Sequence, residues 1–463
     1  MKKIIKELPA ILLVFGALLR ITGTGAAALW FDESNTLVRT NIPFMSLFSE
    51  SSENSGDLLL EIVLRPLMSL GHSLWLLRLP SLLAGLVSLW LVWKLMQRLS
   101  FSPSQQTITA ALVAFLPGLL WIAQDARSYG ILSCLFLAAI WFALESNLIG
   151  LLVMCGLTIY AHNTGPVLAA AAFIISAYIY PWKIKHIILV GIITMMAWIP
   201  GIYRMLNHWI IQQPWAPILT LPWFLTSTIQ AIWPELWGGG FFIAALGTLL
   251  FTPFLLLSRS NVRARGRLIP LMAWTIPLGM LILFSIISKG NIILYRTLMP
   301  LLFPFSIWLG WELGTNGFIN RLLLGVWVVM LMAGLIIWDP ASRGGGLDVI
   351  AEDIRSQWKP GDSLLYTTIT VGYPFNYYLG DLPHRWDSTV KDPFFLTTPS
   401  LVHPWLDTPN GEVSRSWVVI PQEPILITPE EWEALDDRTH HQDPIYKIFY
   451  LQAAPVFIYL VEE

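Results

Sequence analysis

Two adjacent carboxylates stand just past the first apolar run of the chain, in Leu29-Trp30-Phe31-Asp32-Glu33. Ionised carboxylates are costly beside a low-dielectric phase, so a pair at such a boundary needs a reason. One reason is chemical: a carboxylate that meets an incoming hydroxyl or amine can take its proton as a general base. The other is structural, because Asp and Glu cap helix N-termini and complement the helix dipole. These two residues alone leave both readings open.

A second polar island is Gln124-Asp125-Ala126-Arg127-Ser128-Tyr129-Gly130. The guanidinium of Arg127 is always charged and presents a fork that fits phosphate oxygens. With the Tyr129 hydroxyl two residues on, it suits a lipid phosphate at headgroup depth, although Arg and Tyr also serve as plain interfacial anchors. A third island runs from Lys289 to Tyr295-Arg296-Thr297, ahead of Pro300 and Pro304. Prolines at those positions break or kink a helix near its end. The fourth is Tyr160-Ala161-His162-Asn163-Thr164-Gly165, where His162 reads first as a structural residue and second as a ligand or base.

The elements that must position these islands are membrane spans. Of the 463 residues, 55% are hydrophobic and only 13% charged, against roughly 25% charged in an ordinary soluble protein. A soluble enzyme, a nucleic-acid binder and a disordered scaffold all fit poorly. About 20 apolar helical residues cross a bilayer core, and eleven stretches qualify: 8–29, 79–97, 106–123, 130–147, 148–162, 164–181, 186–203, 239–257, 268–288, 293–311 and 321–338. The start, Met-Lys-Lys-Ile-Ile-Lys, could pass for a signal peptide with Ala26-Ala27-Ala28 as cleavage site; an uncleaved first helix suits its length better.

Lys and Arg are retained on the cytoplasmic side. With the N-terminus inside, that side collects Lys2, Lys3, Lys6, Lys94, Arg98, Lys183, Lys185, Arg259, Arg263, Arg265, Arg267 and Arg321. The segments 30–78, 124–129, 160–165, 204–238, 289–296 and everything after 339 then lie outside, with all four islands. Lys289 and Arg296 on that face run against the positive-inside bias, which favours an anion-binding role. The 23 Trp and 13 Tyr are read mainly as interface residues.

The net charge of −2 hides a split: residues 1–339 hold 20 Lys and Arg against 12 Asp and Glu, residues 340–463 hold 8 against 18. The expected fold class is an all-α polytopic membrane protein of about eleven transmembrane helices, residues 1–339 with a long first outer loop 30–78, and a small C-terminal α/β extracytoplasmic domain, residues 340–463. In that domain Asp348 to Trp358 has helical spacing, Ser363 to Tyr366 and Arg415 to Ile420 read as strands, and Tyr373 to Leu379 as a short helix. Pro429 to Leu435 opens another helix, and Ile445 to Val461 holds two last strands. Cys134 and Cys155 lie in apolar runs and leave the redox compartment open.

Together the islands resemble membrane glycosyltransferases of the GT-C type, in the bacterial branch related to protein O-mannosyltransferases and the lipid A aminoarabinose transferase. The motifs that carry the resemblance are Leu19-Arg20, Trp30-x-Asp32-Glu33, Leu77-Arg78-Leu79-Pro80-Ser81, Gln124-x-Ala126-Arg127-x-Tyr129, Tyr160-x-His162 and Tyr295-Arg296. The tail adds Pro360-Gly361-Asp362 and Asn376-Tyr377-Tyr378-Leu379-Gly380. The resemblance implies a polyprenyl-phosphate sugar donor and transfer with inversion at the anomeric carbon. It implies Asp32 as catalytic base, assisted by Glu33, and Arg127, Tyr129 and Arg296 at the lipid phosphate, with Lys289 a further candidate there and Tyr295 and His162 further substrate-binding candidates. A His-Pro-Pro-Leu-like segment common in such proteins is absent from the first outer loop, where Asp57 or Glu61 would supply any second carboxylate. No His, Asp and Glu spacing reads as a dedicated metal site, and His440-His441 reads as surface, so no cofactor is certain and a divalent metal stays possible.

The expected setting is the plasma (inner) membrane, with the N-terminus cytoplasmic, and the partners are the donor lipid, a glycan, lipid or protein acceptor, and the bilayer, with no nucleic acid. A transporter or flippase for polyprenyl-phosphate-linked glycans is the alternative. It calls for polar or broken mid-span helices in two related halves, and apart from Arg20 the mid-span residues are nearly all apolar.

Overall fold

Pro117 shows how local chemistry shapes the helical body. A residue before proline is driven out of the α region. Leu116 is accordingly extended (φ −68°, ψ 118°), and the third apolar stretch becomes two helices, Pro103–Phe115 and Pro117–Trp121. Pro117 has no N–H for the carbonyl of Val113. Arg20 supplies the donor: its fully buried guanidinium reaches Val113 O at 2.8 Å, Gly16 O at 2.9 Å and Ala114 O at 3.3 Å. Replacing Arg20 by Met is expected to cost about 1–3 kcal/mol for each carbonyl left unsatisfied. The check is thermal melting in detergent: Tm should fall by several degrees, and an unchanged Tm would refute the role.

The computed structural model describes residues 2–40, 57–199, 219–234, 239–257, 265–288, 292–315, 317–339, 346–366, 369–386, 415–421, 446–450 and 454–462. The chain divides into two compact units. The first is Met1–Thr24 with Asn54–Trp338, and the second is Gly25–Glu53 with Asp339–Glu463.

In the first unit every one of the eleven apolar stretches holds helix, although the first helix, Lys2–Gly23, stops short of the expected residue 29. Among the described residues three helices are long and apolar enough to cross a membrane alone: Leu74–Arg98, Arg265–Ile287 and Phe318–Ile337. The pair Gly165–Ile179 and Pro181–Ala197, bent by 116° at its break, adds a fourth if counted as one span. Tyr129–Leu144 and Leu148–Ala161 are shorter apolar helices. The tenth stretch breaks near Pro300, into Tyr295–Leu298, a 3-10 turn Met299–Leu301 and Leu302–Leu313. Pro304 sits in the first turn of that last helix, where its missing N–H costs nothing.

Among the described residues of the first unit, two helices occupy segments expected as loops. Leu58–Met68 lies in the first outer loop, and Leu221–Ile232 is started by the Thr220 side chain, which accepts from Trp223 N at 3.3 Å. The interface reading fails for several tryptophans. Trp233, Trp308 and Trp327 are fully buried; Trp274 stacks on Trp308 at 5.5 Å between centroids, Trp233 on Trp327 at 6.0 Å, and Phe305 lies 5.0 Å from Trp274 and 5.9 Å from Trp327. Large rings fill the space between helices, and the Trp327 indole finds its acceptor in Thr252 Oγ1 at 3.2 Å. Arg267, counted among the cytoplasmic cations, is likewise buried and ion-paired with Glu312.

The second unit is an α/β sheet domain. Its strands are β1 (Asp362–Tyr366), β2 (His384–Trp386), β3 (Arg415–Pro421), β4 (Tyr446–Tyr450) and β5 (Ala454–Glu462), in the order β2-β1-β3-β5-β4. β1 runs parallel to β2 and β3, whereas β5 is antiparallel to β3 and β4. The period of two puts Leu364 and Tyr366 on one face, opposite Trp417 and Val419 in register. Helices Leu347–Gln357 and Ile369–Leu379 bury Leu347, Ile350, Ile354, Phe375 and Leu379 in the same core. The helix expected at 429–435 and His440-His441 lie outside the described residues.

Asp362 starts β1 as a buried anion. Its Oδ1 accepts from Arg415 Nε at 2.8 Å and its Oδ2 from Lys359 N at 2.9 Å. Burial alone would push the carboxyl up, yet the Arg415 and Lys359 donors outweigh it and hold Asp362 below its ordinary value. A carboxyl lowered on folding stabilises above its unfolded pKa, about 3.9, and that stability is lost as pH falls through the lower folded value. The second unit is therefore expected to weaken below about pH 4, and Asp362→Asn to flatten that limb while lowering stability at pH 7. Melting curves across pH, followed by near-UV circular dichroism, decide it.

Candidate functional site

The junction 122–128 is held from three sides. Gln124 Nε2 donates to Leu19 O at 2.8 Å and Arg20 O at 3.3 Å, using carbonyls that a helix end leaves over. Ser81 Oγ donates to Arg127 O at 2.9 Å. The chain then turns so tightly that a Cβ on Gly130 would sit 2.5 Å from Ile122 O, so only glycine fits. Arg78, fully buried, donates to Thr24 O at 2.9 Å. The polar residues of Leu77-Arg78-Leu79-Pro80-Ser81 are thus scaffold for the chain around the site.

On that junction Arg127 meets Asp57. Arg127 Nη1 lies 2.8 Å from Asp57 Oδ2, with side-chain exposures of 8% and 3%, and Ser128 Oγ donates to the other carboxylate oxygen. Asp57 is therefore the buried counter-ion of Arg127, which changes its sequence reading as a candidate second carboxylate. A guanidinium carries five N–H donors in a fork. The Tyr129 hydroxyl lies within electrostatic reach of Arg127.

His162 sits at the C-terminal end of Leu148–Ala161, its ring 4.9 Å from that of Tyr129. Its Nδ1 accepts from Thr164 N at 3.1 Å and lies 2.9 Å from Thr164 Oγ1, which places the remaining ring proton on Nε2. His162 is a neutral hydrogen-bonding group near Arg127, not a third cation.

Tyr295 and Arg296 open the helix Tyr295–Leu298. Thr297 Oγ1 accepts from Leu294 N at 3.0 Å, and Trp223 Nε1 donates to Ile293 O at 2.8 Å, tying the segment to Leu221–Ile232. The Arg296 guanidinium lies 5.5 Å from the Tyr295 ring centroid, and Tyr295 is within electrostatic reach of Tyr129 and Asp125. In the first unit the structure thus brings together Asp57, Arg127, Tyr129 and His162, with Tyr295 in electrostatic reach of Tyr129 and Arg296 against the Tyr295 ring. Glu61 is fully buried in the helix Leu58–Met68. Lys289 lies outside the described residues. Ser81 and Ser128 were missed as site supports; both stand inside quoted motifs, but a serine gives no signal of its own.

Asp32 and Glu33 belong to the second unit, in the first turn of the helix Phe31–Thr40. They stand where helix-capping acids stand, yet they are not solvated: Asp32 is 8% exposed and Glu33 0%. Among the described residues no three or more His, Cys, Asp or Glu side chains gather as metal ligands.

The chain thus has a helical body and a small α/β unit. The chain is similar to two crystal structures of ArnT from Cupriavidus metallidurans. The apo form shares 14% identity at a TM-score of 0.58, and the form bound to undecaprenyl phosphate 14% at 0.56, each match covering 97% of both chains. At that identity the likeness is one of fold. No family model and no curated protein matches the chain.

Proposed function

We propose that this protein is an integral-membrane glycosyltransferase that moves a hexosyl or pentosyl group from a polyprenyl-phosphate donor to an extracytoplasmic acceptor, with inversion. The observation that carries this reading is the buried Arg127–Asp57 pair, with Tyr129 and His162 beside it and Tyr295 in electrostatic reach of Tyr129. It stands on a fold shared with a protein solved with undecaprenyl phosphate bound. Asp32 takes the proton of the acceptor hydroxyl or amine. The acceptor atom attacks the anomeric carbon from the face opposite the phosphate, and the carbon–oxygen bond to phosphate breaks with its electron pair going to the leaving group. Arg127 and Arg296 hold and stabilise the departing phosphate, with the Tyr129 hydroxyl beside them. The protein sits in the inner membrane with this chemistry on the outer side; the acceptor is a glycan, a lipid or a protein.

The test offers purified protein in nanodiscs a panel of radiolabelled polyprenyl-phosphate monosaccharides with cell-extract acceptors. Release of polyprenyl phosphate that depends on Asp32 supports the reading. Binding without release across the panel moves it to a carrier or flippase.

A further inference from the structure

The helix that bears the candidate base has little to hold it by itself. Phe31–Thr40 is ten residues long, shorter than the 12–15 residues at which isolated helices become even marginal in water. Its sequence after Phe31, Asp-Glu-Ser-Asn-Thr-Leu-Val-Arg-Thr, offers no broad apolar stripe. Its placement must come from tertiary contacts, and they come from the far end of the chain. Ala28 and Trp30 are buried in the core formed by Leu347, Ile350, Tyr366, Phe375 and Trp417. The Phe31 ring stacks on Tyr373 at 6.2 Å. The Leu29 N–H donates to the Tyr378 hydroxyl at 2.7 Å, across 349 residues of sequence. The helix then starts at once, with Ser34 N donating to Trp30 O at 2.9 Å.

We infer that Tyr378 is a positioning residue for the Asp32 carboxylate, acting through the Leu29 backbone, so that the C-terminal unit sets the aim of the base. This rests on Asp32 being the base, as proposed above. Asp32 lies three residues beyond the anchored amide and next to the stacked Phe31, and at a helical rise of about 1.5 Å per residue nothing between them absorbs a displacement. A shift of about 1 Å in a reacting group can cost about 100-fold in rate. One lost anchor among several is expected to cost about tenfold on that scale. Leu29, Trp30 and Ala28 would still be buried, so the fold persists while the first turn loosens. The role is one of orientation, exerted through the Leu29 amide.

The experiment uses the full-length protein with Tyr378→Phe, Asp32→Asn, the double variant and Asp362→Asn. Hydrogen exchange is read at Leu29 and the first-turn amides, alongside kcat and donor KM. Tyr378→Phe should speed exchange at Leu29 and residues 31–36 at least tenfold on that reasoning, with exchange in β1 and β3 unchanged. It should lower kcat about tenfold with donor KM within about twofold. In the Asp32→Asn background it should cost nothing further, because its effect runs through that carboxylate. Asp362→Asn should loosen the sheet without the kcat loss. Unchanged exchange at Leu29, a uniform rise across the whole unit, an unchanged kcat, or an additive loss in the double variant would each overturn the inference. The two levels fail differently: if Asp32→Asn retains full activity, the base assignment falls, whereas a dead Asp32→Asn with an unaffected Tyr378→Phe removes only the positioning role.

Discussion

Asp32→Asn is expected to lower polyprenyl-phosphate release at saturating donor by about 10²–10⁴-fold, the usual contribution of a positioned general base. Asparagine keeps the shape of the side chain and its place in the first turn of Phe31–Thr40, but it cannot accept the acceptor's proton. Donor binding should therefore be unchanged, since the groups proposed for the phosphate belong to the other unit. Glu33→Gln should have the smaller kinetic effect. Glu33 is wholly enclosed, while Asp32 keeps the little exposure that an incoming acceptor needs. Single-turnover assays with pre-bound donor separate the two carboxylates; equal losses in both variants, or a loss that appears only as weaker donor binding, would defeat the assignment.

Removing one member of the Arg127–Asp57 pair should have effects of similar size, of two kinds. The two side chains are nearly fully buried and 2.8 Å apart, and breaking such a pair from one side costs about 3–5 kcal/mol because the remaining charge stays out of water. Asp57→Asn is thus expected to lower Tm substantially. It should also strengthen polyprenyl-phosphate binding, because the guanidinium loses the carboxylate that competes with phosphate. Arg127→Gln should destabilise to a similar extent and weaken that binding about 10–100-fold, the worth of a charged hydrogen bond of about 1.5–3 kcal/mol. The double variant should cost less stability than the two single losses added together. Melting and lipid-binding titrations on the four proteins check this, and binding that moves the same way in both single variants would contradict the phosphate role.

Much of the architecture was legible from local chemistry. Apolar length marked the helical stretches, Pro300 marked the break before Leu302–Leu313, a short apolar run after a turn marked β1, and alternation marked β3. The parts that escaped are those set by distant partners. Phe31–Thr40 is polar in sequence and reads as loop, because its contacts lie more than 300 residues away by the numbering. Gly25–Glu53 joins the C-terminal unit for the same reason. β2 is three residues long, too short for any period to show. The buried tryptophans carry the same composition signal as interfacial ones, and only helix packing separates them. In the site, Arg127 and Tyr129 were legible as a pair because they adjoin. The role of Asp57 was not, since 70 positions separate it from Arg127 and nothing local links them.

The membership of Gly25–Glu53 in the second unit also sets a timetable. Ribosomes add about 5–20 residues per second, so the roughly 300 residues between this segment and Asp339 take about 15–60 s to make. Through that interval the Asp32 segment exists without the core that receives Ala28 and Trp30. A growing chain whose helical body is already made therefore still lacks the core beneath the Phe31–Thr40 helix. Ile458 and Leu460 of β5 complete that core.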